Sequence, residues 1–558
     1  MASDLLIRGG LIVDGTGRPG RRGDVAVRDG RIGAVGAAGE GAFRVIDATD
    51  LVVAPGFWDI HTHYDVQLLW DPIATSSCWH GVTTVVIGNC GFSVAPCRPQ
   101  DQDYLVRTLA RLEGMDVGVL SHTLPWAWGT FGEYLDALDA VLGVNVIPQV
   151  GHMAVRRYVM GEEASRRAAR SEEVAQMRGL VVDALEAGAF GFSTSRAGNH
   201  WDGDGQPVPS RAATVEEYMT LVAEMARLPV GFVQLLAPQF TWEQLAQAAQ
   251  VARRPLCLNA IVQQMHKPEA WKEDLARMLE MRARGFSFFA QGHCQAHDFE
   301  VTFQSTDVFD RYPTWKSVLE QPHDRKKALL RDPATRQKLK AEMSAEKASL
   351  VPLTWDRFLL VRSATGRYRQ YEGQRVEAIA EAMGKHPLDA ALDIAVDEDL
   401  ATHLRVLDAR NLDPQAMLEI LRTPHIVPGP SDAGAHVLRG VNTGFPTRLL
   451  GHWVRERHAL TLEEAVCRLS SLPAQEMGVT DRGTLEAGKA ADITIFDPRT
   501  VASTDRLFAN DLPGGGKRLI QHAAGVEYLI VNGCVTMQRG QPTGDRAGAT
   551  LRSGAYRA

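Results

Sequence analysis

Short apolar runs recur along the middle of the chain, at 83–88, 144–150, 190–194, 232–236, 256–259 and 287–290, with longer amphipathic stretches between them. Runs of this length, rich in Val, Ile, Leu and Phe, read as strands buried on both faces. Helix signals fall in the intervening or following stretches. Thr214 with Glu217, and Thr461 with Glu464, match the capping box, in which a hydroxyl and a carboxylate satisfy each other's backbone N–H groups. Buried strands alternating with helices predict a parallel sheet, and repetition on this scale predicts a (β/α)8 barrel. An open doubly wound sheet is the alternative, but no Gly-rich phosphate loop follows the first strand.

The two ends of the chain have a different texture. Residues 5–15 and 24–32 read as short strands punctuated by glycine, and 491–497 and 526–533 repeat that pattern. The expectation is a small composite β-sandwich domain built from 1–55 and 485–558, with the barrel occupying 56–484. The stretch 298–349 breaks the strand–helix alternation. It carries charged clusters such as Asp324-Arg325-Lys326-Lys327 and predicts an inserted helical lid over the barrel mouth.

Composition removes several function classes. The net charge is −7, and no basic patch interleaved with aromatics is visible, so nucleic acid is not expected as a partner. No apolar run approaches the roughly 20 residues of a membrane span, and the start lacks a secretory pattern. The seven cysteines are scattered without a CxxC pair, which predicts reduced thiols and a cytoplasmic setting.

Two sites carry the chemistry. Gly56-Phe57-Trp58-Asp59-Ile60-His61-Thr62-His63 is an apolar run ending in two histidines one residue apart. Side chains at i and i+2 of a strand share a face, so His61 and His63 project together, as a divalent metal requires of two imidazoles. Far downstream, Pro430-Ser431-Asp432-Ala433-Gly434-Ala435-His436 places an acid on a turn after Ile426-Val427. Together they predict one metal-dependent hydrolytic centre.

The stretch 53–63 resembles the first strand of the amidohydrolase superfamily, and 488–493 with 531–533 resembles its C-terminal β domain. More narrowly, Gly88-Asn89-Cys90-Gly91-Phe92-Ser93, Val150-Gly151-His152, 188–194 and Ser431-Asp432 are similar to the D-aminoacylase (N-acyl-D-amino-acid deacylase) branch. The resemblance spans nearly the whole chain. It implies zinc bound by His61 and His63, and a carboxylate at Asp432 that contacts the metal and acts as general base toward metal-activated water. It also implies a Cys90 thiolate on the metal. The substrate it implies is an N-acyl-D-amino acid or a related N-acyl amine.

This chain departs from the branch at two mid-barrel strand ends where further histidines are usual. The stretch 255–264 has none, with His266 the first to follow, and 289–294 offers only His293. One zinc ion is therefore favoured over two, with Cys90 or His293 completing four-coordination. His152 is a candidate to polarise the scissile carbonyl. Ser193, Arg196 and Arg156 are candidate substrate-binding residues, since an arginine fork matches a substrate carboxylate. His436 could orient Asp432, and Asp59 and Asp65 flank the histidine pair as supporting residues. The expected partner is a small-molecule amide, and a homo-oligomer stays open. Two other readings stay open: a cyclic amide hydrolase of the dihydropyrimidinase or hydantoinase type, and a metal-free barrel serving as a scaffold.

Overall fold

Eight short strands, each buried on both faces, curl into a parallel barrel. They are β1 (Phe57–Asp59), β2 (Val82–Ile87), β3 (Asn145–Gly151), β4 (Gly191–Ser195), β5 (Phe232–Leu236), β6 (Leu256–Ile261), β7 (Phe288–Gly292) and β8 (Ile426–Pro428). Each pairs in parallel with the next. Closure comes just past β1 and β8, where the Asp432 N–H donates to the His61 carbonyl (3.1 Å) and the His63 N–H to the Ala433 carbonyl (2.6 Å). The computed structural model describes residues 3–37, 41–115, 117–198, 200–236, 240–264, 267–304, 306, 308–309, 311–345, 353–407, 410–438 and 440–556. His266 and parts of the expected lid (305, 307, 310 and 346–349) lie outside them.

Alternation along each strand sorts the core into two layers. Trp58, Val86, Ile147, Phe232, Cys257, Phe289 and Val427, from seven of the eight strands, fill the barrel interior. Their neighbours Phe57, Val85, Val146, Val233, Leu256, Phe288 and Ile426 face the helices. A barrel filled this way is a packed body, and chemistry is confined to the C-terminal rim of its strands.

The chain ends share one sheet. Val52–Pro55 pairs in parallel with Ser3–Ile12 and antiparallel with Ile493–Phe496, so the strands of the two termini join side by side in a nine-stranded sheet. Between β7 and β8 the chain builds a satellite body with its own core, including Phe303, Phe309, Trp315, Phe358, Leu392 and Val406. This core extends well past residue 349. The helices His323–Arg331 and Pro333–Ala345 belong to it, and so does a three-stranded sheet of Asp298–Val301, His403–Leu407 and Phe358–Arg362. Among the described residues, no helix is long and apolar enough to cross a membrane.

Candidate metal centre

His61 and His63 lie just beyond the end of β1, with 2% and 6% of their side chains exposed. Their rings sit edge to face, with centroids 5.5 Å apart. Both present Nε2 to the same point. Asp432 Oδ1 stands 3.6 Å from His61 Nε2 and 3.3 Å from His63 Nε2. Cys90 Sγ is 3.4 Å from His61 Nε2, and donors of His61, His63 and Cys90 all lie within 4.8 Å of one another.

Two tight turns bring the acid and the thiol to the histidines. Asp432 and Cys90 adopt left-handed backbone angles (φ 57° and 56°), uncommon for residues with a Cβ and frequent at functional sites. Glycine makes the approach possible. A Cβ on Gly434 would sit 2.5 Å from the His63 carbonyl oxygen, and one on Gly88 would sit 2.2 Å from that of Gln149.

The donor set tests whether a metal fits. Zinc binds thiolate at about 2.3 Å and imidazole or carboxylate at about 2.0–2.2 Å, so the edges of its tetrahedron measure about 3.3–3.8 Å. The measured separations of 3.3, 3.4 and 3.6 Å fall in that range. Two imidazoles, one thiol and one carboxylate also match zinc in softness. His61, His63 and Cys90 present three donors to one point, with Asp432 Oδ1 beside the two imidazoles, and this donor set fits zinc.

Electrostatics favour the anionic, metal-binding forms of Cys90 and Asp432, and against burial those anions in turn raise the pKa of His61 and, with Glu113, of His63. Burial raises the Cys90 thiol, but His61 and His63 outweigh it and bring it down to about 6. Burial likewise opposes ionisation of Asp432, yet His63, His436 and His61 hold its carboxyl well below the ordinary range. His436 Nε2 lies 3.7 Å from Asp432 Oδ2, on the side away from the donor cluster.

Two amides complete the surroundings of Cys90. The Cys90 N–H donates to Gln234 Oε1 at 2.8 Å, the Gln234 amide donates to Asn259 Oδ1, and Asn259 Nδ2 faces Cys90 Sγ at 3.8 Å. These side chains come from β5 and β6, on the interior side of the rim. Ser193 has a related task. Its hydroxyl donates to the Gly88 carbonyl and accepts from the Gly91 N–H (2.9 Å), so it builds the turn that carries Cys90. It is fully buried, which leaves it no surface for substrate.

Other candidates from the sequence fall outside the cluster. His152 Nδ1 meets Thr194 Oγ1 and its Nε2 meets Glu217 Oε1, both at 2.9 Å. Both ring nitrogens are thus engaged away from the metal ligands. Arg156 is fully buried against the same Glu217, with further donations to the carbonyls of Ala164 and Arg167. Neither side chain is available to a substrate. Arg196 lies half-buried over the Phe240 ring at 5.9 Å. His293 is half-buried beside His297, ring centroids 5.6 Å apart, and is not one of the donors that cluster with His61.

The structure adds residues that the sequence did not single out. Glu113, the last residue of helix Gln102–Glu113, faces His63 Nδ1 at 3.4 Å. The His200 ring lies tilted against Phe92 (5.0 Å between centroids), which in turn lies near His63 (6.1 Å). Burial, with His63 close by, pulls the His200 pKa down to about 4, so it sits in the site as a neutral imidazole anchored by Ser195 Oγ at 3.1 Å. Arg-Leu-Glu-Gly at 111–114 reads as a solvated helix end, and the loop bearing His200 has no periodicity to mark it.

A family model described as Amidohydrolase family matches residues 44–537. This chain belongs to the amidohydrolase family. Among relatives of this amidohydrolase, the N-acyl-D-aspartate deacylase of Alcaligenes xylosoxydans xylosoxydans is 30% identical, over 99% of this chain and 95% of the relative. The D-aminoacylase of the same organism is 29% identical, over 98% and 97%. A solved N-acyl-D-glutamate deacylase from Bordetella bronchiseptica, complexed with zinc and a phosphonate inhibitor, superposes with a TM-score of 0.68 at 26% identity, covering 99% of this chain and 100% of that one. The TIM-like barrel of the amidohydrolase fold is thus shared end to end.

Proposed function

We propose that this amidohydrolase is a zinc-dependent deacylase that cleaves the linear amide of an N-acyl amino acid, with N-acyl-D-amino acids as its substrate class. The observation that carries the reading is the convergence of His61, His63 and Cys90 at the barrel rim, with Asp432 Oδ1 close to both imidazoles. The full-length relatives named for N-acyl-D-amino acid chemistry support the D series.

His61 and His63 would hold the ion through Nε2, Cys90 through Sγ and Asp432 through Oδ1. A bound zinc ion supplies Lewis acidity, which acidifies water and polarises the scissile carbonyl. The chain's own contribution is proton movement. Asp432 is ionised, a third exposed, and the one member of the cluster open toward solvent, so its carboxylate accepts the proton of the attacking water. The new C–O bond forms as the carbonyl pair moves to oxygen. That pair then returns, the C–N bond breaks, and Asp432 delivers its proton to the departing nitrogen. His436 faces Asp432 Oδ2 and steadies its charge. The amides of Gln234 and Asn259 support one ion rather than two, because they fill the ground beside Cys90 with poor zinc ligands.

The test is a hydrolysis screen of zinc-reconstituted protein on N-acetyl-D-amino acids, their L-enantiomers and a hydantoin. Amine release from the D series, faster than from the others, is expected. Protein carrying about one zinc per chain that releases amine from none of the N-acetyl amino acids would overturn the reading. Ring opening of the hydantoin alone would assign it to cyclic amides.

A further inference from the structure

Glu113 is placed where a carboxylate is hard to keep. It is 2% exposed, so it has lost nearly all its water. It is also the C-terminal residue of helix Gln102–Glu113, next to the negative end of the helix dipole, where an anion is disfavoured. Its Oε1 makes no well-aligned hydrogen bond, and His63 Nδ1 stands 3.4 Å away. Removing an acid from water beside other acids is costly unless a cation compensates.

Geometry shows where the compensation lies. His63 turns its two nitrogens in different directions: Nε2 toward Asp432 at 3.3 Å, and Nδ1 toward Glu113 Oε1 at 3.4 Å. An imidazole that gives one nitrogen to a metal carries its proton on the other, and an acceptor there fixes the tautomer and the ring plane. The same residue reaches the second arm of the site through its backbone. The Glu113 carbonyl accepts the N–H of Val437 at 3.1 Å, five residues past Asp432. Helix Gln102–Glu113 therefore ends in a residue that touches both His63 and the segment carrying Asp432.

We propose that Glu113 is a positioning residue of the metal centre: it accepts the Nδ1 proton of His63, sets Nε2 as the metal-binding nitrogen and raises the site's affinity for zinc without itself ligating the ion. This rests on the zinc-site reading above. The bound ion supplies the positive charge that makes a buried Glu113 carboxylate tolerable, so the two stabilise each other.

The test compares wild-type protein with Glu113→Gln, which keeps size and shape but replaces the anionic acceptor. Zinc affinity is measured by competition with a chromophoric chelator, the unfolding midpoint on metal-stripped protein, and the zinc ligand shell by X-ray absorption. The expected result is a fall in affinity of about 10–100-fold, the range for partners of metal-binding histidines. The stripped protein should unfold no earlier than wild type, and the ligand shell should be unchanged. An affinity within threefold of wild type, when wild type itself binds zinc, overturns the proposal and leaves the zinc site standing. Loss of an oxygen from the ligand shell overturns it in favour of direct ligation. If wild type binds no zinc, the zinc-site reading falls and this proposal falls with it. If the stripped variant is itself unstable, Glu113→Asp, which retains the charge, decides: affinity above that of the Gln variant supports positioning, and equal affinity overturns it.

Discussion

Two buried histidine–glutamate pairs lie just past the ends of barrel strands β1 and β3, and they are built to opposite ends. In one, His152 meets Glu217 at 2.9 Å, Arg156 neutralises the same carboxylate, and Thr194 takes the other ring nitrogen. In the other, His63 faces Glu113 at 3.4 Å, no arginine or lysine is paired with that acid among the described residues, and the second nitrogen points at a gathering of donors. Both contain the same residue types at similar burial. The first network closes on itself and fixes helices His152–Met160 and Val215–Ala223 to the barrel. The second leaves donors converging on a single point, which is the signature of a site that needs an ion. The distinction lies in whether the nitrogens and oxygens find partners within the protein, and residue type alone does not reveal it.

The comparison can be broken at either pair. The largest effect belongs to the open site. Asp432→Asn removes the proton acceptor, so turnover should fall by roughly 10²–10⁴. Zinc should stay bound through two imidazoles and a thiolate, and the unfolding midpoint should hold. Turnover within a few-fold of wild type in a zinc-loaded variant would remove Asp432 as the base.

The closed pair should respond in stability and not in metal. Arg156→Met leaves Glu217 buried without its guanidinium, and breaking a buried pair in this way costs about 3–5 kcal/mol. Chemical unfolding measures that loss, while zinc content per chain should match wild type. Loss of zinc with unchanged stability would show that the two clusters had been assigned the wrong way round.

The smallest effect concerns pH. Burial lowers the His152 pKa below its ordinary value of 6.5, with the pull of Glu217 insufficient to reverse it. An unfolded chain therefore takes up a proton near pH 6.5 that the folded cluster refuses. The contribution of His152 is full above that pH and declines as pH falls below it. Urea midpoints of wild type and His152→Asn should converge on acidification, and a gap that widens instead would contradict the sign.

Much of the barrel was legible because its strands are buried on both faces and leave continuous apolar runs. Strands β1 and β8 are only three residues long, and they were found through the histidine pair and the acidic turn beside them. The capping boxes show how tertiary context edits a local signal. Thr461 and Glu464 form the full reciprocal pair. Thr214 accepts the Glu217 N–H at 3.1 Å, but the Glu217 side chain has been drawn away to His152 and Arg156. The same event explains why His152 and Arg156 read as candidate substrate groups: sequence cannot show that a glutamate some sixty positions later will claim both. Glu113 was hidden for the converse reason. A charged residue before a glycine at a helix end is ordinarily solvated, and only the packing of Val437 and His63 against that helix end takes its water away. The satellite body was underestimated because its strands, Phe358–Arg362 and His403–Leu407, sit far apart in sequence and pair only through the fold.

The most direct test of the metal centre is zinc K-edge X-ray absorption on the wild-type protein, with zinc content measured on the same sample. About one zinc per chain is expected, with one sulfur at about 2.3 Å from Cys90 and nitrogen or oxygen donors, two of them imidazole, at about 2.0–2.2 Å. A shell without sulfur, or protein that retains no zinc after reconstitution, would contradict the centre described by His61, His63, Cys90 and Asp432.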